Sequence, residues 1–336
     1  MSTFKEIQGQ NIRSLSSDPS PISNGDIWYN STSQTLKGVQ AVAVWTSGGA
    51  LPTATINGGA SGSGTQTASI YFGGNNGSTY LNTSQTYNGT SWTGQPTMTY
   101  AKGSQGSAGT QTAALGFAGY SNTTGPAGPY GSWISTESWN GSTWTTSGNI
   151  NSNRYSGTGI GLQTAALYAG GFLSGQPAAN GTRTEVESYN GSAWTAVSAL
   201  SQRRQGLASS GTQTAALAIA GWISPSNVTA VTESWDGSSW TSGTSINTTR
   251  FESGSCGTQT AALLYGGNPY PGFSTATEEY DGSSWTTVNS LATARKQLKG
   301  SGTTTAALAI GGTTGSITGA TEEYSLAATT KTFTTS

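Results

Sequence analysis

Gly302-Thr-Thr-Thr-Ala-Ala-Leu-Ala-Ile-Gly-Gly312 is the stretch on which the reading of this chain turns. The pattern also opens at Gly64, Gly109, Gly161, Gly211 and Gly257, most clearly as Gly211-Thr-Gln-Thr-Ala-Ala-Leu-Ala-Ile-Ala-Gly221. The six copies start 45 to 52 residues apart. Such a period marks a solenoid, propeller or array, in which each repeat is one supersecondary unit that buries its apolar face only against its neighbours.

Outward from this stretch, each repeat reads as four strands. In the fifth copy Phe251-Glu-Ser-Gly-Ser-Cys256 is a small-residue strand, and Gly257-Thr-Gln-Thr260 is a turn. The apolar strand Ala261-Ala-Leu-Leu-Tyr265 follows and ends at Gly266-Gly267. After a variable loop comes Thr277-Glu-Glu-Tyr280, which Asp281-Gly282 turns into Ser284-Trp-Thr-Thr287. Asn88-Gly89, Asn140-Gly141, Asn190-Gly191 and Asp236-Gly237 are the equivalent turns. Asn-Gly and Asp-Gly favour tight hairpins because these turns need positive φ. No sustained helical periodicity interrupts the pattern.

Trp92, Trp144, Trp194, Trp240 and Trp285 each lie 17 residues before the next repeat glycine. The sixth copy lacks that last strand, since Tyr324 is followed by Ser-Leu-Ala-Ala. Ala43-Val-Trp-Thr46 stands at the other end of the chain, 19 residues before Gly64. A ring closed by a strand from the opposite terminus explains both facts and removes the edges of an open array. Lys331-Thr-Phe-Thr-Thr335 is a second strand-like segment for the same place, and Trp45 is the preferred one. The expected fold is therefore all-β: six four-stranded antiparallel blades over residues 40–336. A separate arm over residues 1–39 contains a hairpin around Asn30-Ser-Thr-Ser33. An isolated hairpin is marginal in water, so the arm is expected to be ordered by packing on the repeats or on a partner.

The order of motifs resembles a kelch-type β-propeller, similar to the central domain of galactose oxidase. The resemblance rests on a residue such as Arg295 opening the first strand, Gly311-Gly312 ending the second, Glu278-x-Tyr280 in the third and Trp285 in the fourth. It covers residues 41–336 and implies fold far more than function. Gly25-Asp-Ile-Trp-Tyr-Asn-Ser-Thr32 and the Thr-, Gly- and Ser-rich blades also resemble phage tail and fibre proteins. That second resemblance implies a virion component with a structural or host-recognition role.

Composition narrows the chemistry. The 336 residues include no histidine, which excludes a Ser-His-Asp triad and any His-ligated metal site. The copper chemistry of galactose oxidase therefore does not carry over. Asp236 and Asp281 sit in hairpin turns and most glutamates recur in phase with the repeat, so no carboxylate pair stands out for glycoside hydrolysis. Trp235-Asp-Gly-Ser-Ser-Trp240 matches the Asp box of sialidase propellers only loosely. No catalytic residue, metal or cofactor is assigned, and the expectation is a protein that is not an enzyme. With 8% charged residues and a net charge of −1, nucleic acid and membrane surfaces are disfavoured as partners. No apolar run approaches a membrane span, and Met1-Ser-Thr-Phe-Lys-Glu-Ile-Gln8 has no signal-peptide core. The single cysteine, Cys256, reads as a buried small residue. The Asn-x-Ser/Thr sequons at Asn88, Asn140 and Asn190 are explained by their turns.

Two sets of residues are candidates for binding. Lys102, Arg154, Arg204, Arg250 and Arg295 each lie seven residues before a repeat glycine and form a ring in a propeller. They are either an anion site at the channel mouth or structural partners of Glu137, Glu187, Glu233, Glu278 and Glu322. Blade one favours the second reading, because Asn57 and Gln85 replace both charges together. The other set lies in the loops after the Gly-Gly pair, which differ in every blade and share one face with the blade-to-blade connections. Tyr120, Tyr130, Trp133, Phe172, Trp222, Tyr270 and Phe273 are aromatics there, suited to stacking on sugar rings. Taken with the phage resemblance, they lead to an expected virion protein that contacts host-surface glycan and meets other tail proteins through residues 1–39. Many copies per particle would supply avidity, and the protein would be made in the host cytoplasm without a signal peptide. The alternatives are a secreted carbohydrate-active propeller enzyme and a purely structural decoration protein.

Overall fold

The small-residue strand, the apolar strand and the Gly-Gly pair recur in space as they do in sequence. The computed structural model describes residues 12–23, 25–122, 131–223 and 227–333. Its contacts divide the chain into two units, one of residues 45–324 and one of residues 1–44 with 325–336.

The larger unit is a six-bladed β-propeller of antiparallel blades. Blade one runs Gly59–Ala60, Ser69–Phe72, Ser84–Tyr87 and Trp92–Gln95. Blades two to five repeat that order, ending with Gly254–Gly257, Ala262–Tyr265, Thr277–Tyr280 and Trp285–Val288 in blade five. The second strand of each is largely buried, along its whole length in Ala114–Phe117, because neighbouring blades cover both of its faces. The fourth strand buries its tryptophan and exposes the threonines after it, as an outer edge does. First strands are made of small residues because they approach one another around the axis. A Cβ on Gly159 would stand 2.3 Å from the Ser107 carbonyl oxygen, and one on Gly300 would stand 2.2 Å from that of Ser255.

Blade six is assembled from both ends of the chain. Lys299–Gly302, Ala306–Ile310 and the final strand, Thr321–Phe333, supply three positions. The fourth is taken by β3 (Thr35–Gly48), which carries Trp45. Trp45 does there what Trp92, Trp144 and Trp194 do. In these four blades the tryptophan Nε1 donates to the first residue of the third strand in the preceding blade. Trp92 donates to Thr321 Oγ1, Trp144 to Ser84 Oγ, Trp194 to Thr136 Oγ1 and Trp45 to Thr277 Oγ1. Lys331 to Phe333 form the end of the final strand instead, while Thr334 and Thr335 lie outside the described residues.

Trp240 and Trp285 depart from this series, each with a buried Nε1 that has no partner among the described residues, and the first of them makes a prediction. Val186 holds the accepting position opposite Trp240, whose buried Nε1 has no partner among the described residues. Val186→Thr is expected to raise the stability of the fold by about 1 kcal/mol by satisfying that donor. A thermal or urea unfolding curve checks it, and an unchanged or lower midpoint would count against the pairing.

Turn residues link the blades from the other side. Gln66, Gln111, Gln163, Gln213 and Gln259, each two residues after a repeat glycine, donate to carbonyls of the preceding blade. The Asn/Asp-Gly turns close on their own side chains: Asn140 Oδ1 accepts the Ser142 and Thr143 amides, and Gly141 has φ +93°. This accounts structurally for the three sequons. Cys256 is buried in the first strand of blade five, and its burial pushes the thiol up to about 12.

The smaller unit contains β1 (Arg13–Leu15), β2 (Ile27–Asn30) and β3 as far as Val44, with the final strand from Ser325 onward. β1 pairs parallel to β2, and β2 forms the expected hairpin with β3, matching Asn30 to Thr35. Asp18 organises this unit. It accepts from Trp28 Nε1, Asn30 Nδ2 and Lys37 Nζ, and Lys37 and Asn30 hold its carboxyl below the usual range.

Candidate ligand-binding site

The Gly-Gly pair builds the site locally. Its two residues take positive φ, at Gly170-Gly171 and Gly266-Gly267 for example, and Ala118 and Ala220 adopt the same conformation where glycine is absent. The chain therefore leaves the second strand sharply, and the next residue bridges back to the residue after the basic position. The bridged pairs are Ile56–Asn75, Gly103–Tyr120, Tyr155–Phe172, Gln205–Trp222, Phe251–Asn268 and Lys296–Thr313. Six blades thus place twelve side-chain positions on one face, and the aromatic ones fall in blades two to five.

Those aromatics touch in series. Tyr80, Tyr120, Tyr155 and Phe172 follow one another with ring centroids 5.2–5.6 Å apart. Trp222 contacts Phe251 at 5.4 Å and stacks with Tyr270 at 6.1 Å. Lys296 Nζ lies 5.4 Å over the Phe273 ring. Tyr270 is 53% exposed and Phe273 37%.

Beside the arc a cavity of about 280 Å³ is lined by Tyr155, Trp222, Phe251 and Gln205, with Asn57, Ser104, Ser156, Gly206, Glu252 and Gln297. The last six form a closed belt. Each donates its backbone N–H to the carbonyl of its counterpart in the preceding blade, at 2.7–3.2 Å, from Ser104 to Asn57 and onward until Asn57 donates to Gln297. All six have φ between +52° and +60°. The belt satisfies its own backbone groups, so its side chains are not needed to close it. Below it the axial channel is lined by small residues with Leu207, Leu298 and Lys299. At the turn-side end Ser63 of blade one donates to Gly109 of blade two and through Oγ to Gly161 of blade three. Gly62 and Ser63 thus reach across that end of the channel.

Of the aromatics proposed from sequence, Tyr120, Phe172, Trp222 and Tyr270 belong to this arc, while Phe273 meets Lys296. Trp133 does not. It is 2% exposed and packs on Tyr100 at 5.0 Å, so it is part of the blade interior. Tyr130 lies outside the described residues. Tyr155 and Phe251 carry no loop signature, since each directly follows a basic residue in a blade-to-blade connection. Only the bridge to the next-strand loop brings them to the cavity.

The basic series lies elsewhere. Lys102, Arg154, Arg204, Arg250 and Arg295 are fully buried and form no anion site at the channel mouth. Arg154, Arg204 and Arg250 meet Glu187, Glu233 and Glu278 at 2.6–2.7 Å, and Arg295 meets Glu322 at 3.1 Å. The guanidiniums also donate to carbonyls of the second strand, as Arg154 does to Gly170 and Tyr168. Each glutamate in turn accepts amides of the incoming connection, such as Asn247 and Thr248 on Glu278. The pair pins the connection to the middle of its own blade. Lys102 is weaker, 3.7 Å from Glu137, and burial pulls it down to about 8 despite that carboxylate.

One assignment changes in blade one. The Gly312 amide donates to Thr55 O, as Gly119 donates to Arg154 and Gly267 to Arg295. Thr55, not Asn57, therefore occupies the basic position, and Asn57 belongs to the belt. Gly62 and Ser63 are a two-residue insertion that shifts the spacing, which the distance to Gly64 conceals.

Blades, belt and axial cavity define the class of protein, a six-bladed β-propeller. The chain is similar to the solved structure of YjhT, with a TM-score of 0.65 and 12% identity over 84% of this chain and 99% of that one. At that identity the likeness concerns the fold. No family model matches the chain, and no curated protein matches it.

Proposed function

We propose that the protein is a non-catalytic glycan-binding propeller, of kelch type, that serves as a host-recognition component of a phage tail. The observation that carries the binding reading is the aromatic arc beside a cavity lined by hydroxyl, amide and carboxylate side chains. Aromatic faces cover the apolar face of a sugar ring while the polar groups exchange hydrogen bonds with its hydroxyls. The cavity suits one or two sugar units, so affinity at one site is low and multiple copies raise it. The non-catalytic part is supported by the absence of histidine and by the commitment of the repeated glutamates to ion pairs. The virion setting is supported by the resemblance of Gly25 to Thr32 and of the blade composition to tail proteins, and residues 1–39 are proposed to contact neighbouring virion proteins.

The test is a glycan array probed with a multimerised chain. Binding to at least one glycan, lost or weakened at least about tenfold by Trp222→Ala, is the expected result. A blank array would sink the reading, and release of reducing ends from a polysaccharide would overturn its non-catalytic part. Mass spectrometry of purified particles tests the virion setting.

A further inference from the structure

The belt contains one residue that the scaffold does not require. Its positions are Asn57, Ser104, Ser156, Gly206, Glu252 and Gln297, and all need left-handed backbone. Gly206 shows that no side chain is needed to close the belt. A glutamate in this conformation carries strain that glycine avoids. Glu252 is the single carboxylate of the six, and it lines the cavity beside Trp222 and Phe251.

Its surroundings keep it available as an acceptor. Gln297 Nε2 donates to Glu252 Oε1 at 3.1 Å, and Oε2 has no donor among the described residues. Lys296 and Lys299 are the charged groups that act on it. Burial pushes its carboxyl above the usual range, against the smaller pull of Gln297 and the two ammonium groups. Lys299 is itself pulled down to about 8 by burial, against the attraction of Glu252.

We infer that Glu252 is the specificity-determining residue of the cavity and that the ligand is a neutral hexopyranose presenting a free vicinal diol. This rests on the glycan-binding reading above. An ionised carboxylate only accepts, and Glu252 retains most of its lone-pair sites, so the ligand must donate. Two adjacent hydroxyls match its two oxygens, with the ring stacked on the aromatic wall and Ser104, Ser156 and Asn57 within the same cavity. A sugar acid that turned its carboxylate to Glu252 would bring acceptors where donors are needed, which discriminates against it even though Lys296 and Lys299 offset part of the charge.

Ligand-observed NMR titration of the full chain with methyl glucoside, galactoside and mannoside, and with the matching uronates, tests this. At least one neutral hexoside is expected to bind at least about tenfold more tightly than its uronate. Glu252→Gln is expected to weaken that binding about tenfold, the difference between a charged and a neutral acceptor. Gln297 already occupies an equivalent belt position, so the variant should keep its thermal midpoint. A uronate that binds as well as the neutral sugar, or a Glu252→Gln chain that binds unchanged, would overturn the inference and leave the glycan reading standing. Failure of every hexoside and uronate together with a blank array would overturn both.

Discussion

Arg250→Ala is expected to lower the stability of the fold by about 3–5 kcal/mol, the cost of leaving a buried carboxylate without its partner. Arg250 is fully buried and lies 2.7 Å from Glu278 Oε1, and it also donates to the carbonyls of Thr248 and Leu264. Burial holds its guanidinium below the usual range against the pull of Glu278, so desolvation is already a real cost in the intact pair. The protein contains its own control. In blade one Thr55 and Gln85 hold the equivalent positions, and both are buried without charge. Arg250→Thr combined with Glu278→Gln is therefore expected to recover about 2 kcal/mol of the single-variant loss, because the uncompensated charge is gone. Urea unfolding measures both. An Arg250→Ala chain with an unchanged midpoint would contradict the pinning role of the pair.

Trp45→Ala is expected to cost about 3 kcal/mol and to make the chain prone to association. Trp45 packs edge-on against Tyr265 at 4.9 Å and against Tyr324 at 5.1 Å, and its Nε1 donates to Thr277. Removing it takes apolar area and a hydrogen bond from the blade that joins the two ends of the propeller. It also loosens β3 from the outer position of blade six, which exposes the final strand as an unpaired edge. The same truncation at Trp92 or Trp285 loses comparable packing but leaves ring closure intact. Sedimentation against concentration separates the cases: Trp45→Ala should associate where Trp285→Ala does not. Equal behaviour of the two variants would mean that closure at blade six has no special weight.

Much of this architecture was legible because it repeats. Six copies of one apolar strand, five hairpin turns and a tryptophan at constant spacing leave few arrangements in which every copy buries the same face. The missing sixth tryptophan and Trp45 at the other terminus pointed to ring closure for the same reason. The pairing of the basic series with the repeated glutamates was visible in their joint loss in blade one. The residue named there was wrong, because an insertion of two residues after Ala60 preserves the look of the motif while moving its register.

The site was legible only in part, and Trp133 shows why. An aromatic in a variable loop has the same sequence signature whether it faces solvent or folds back onto Tyr100. Tyr155 and Phe251 show the converse, since they follow buried arginines and reach the cavity only through a bridge to a loop 17 residues further on. Glu252 carried no signal at all, being one charge in a connection between blades. By itself the sequence determined the blade count, the strand order and the closure, which follow from local patterns repeated in phase. The tertiary structure alone decided the belt, the cavity and the acceptor within it. Those are made by residues from six blades meeting on one axis, and no spacing along the chain records which side chains converge there.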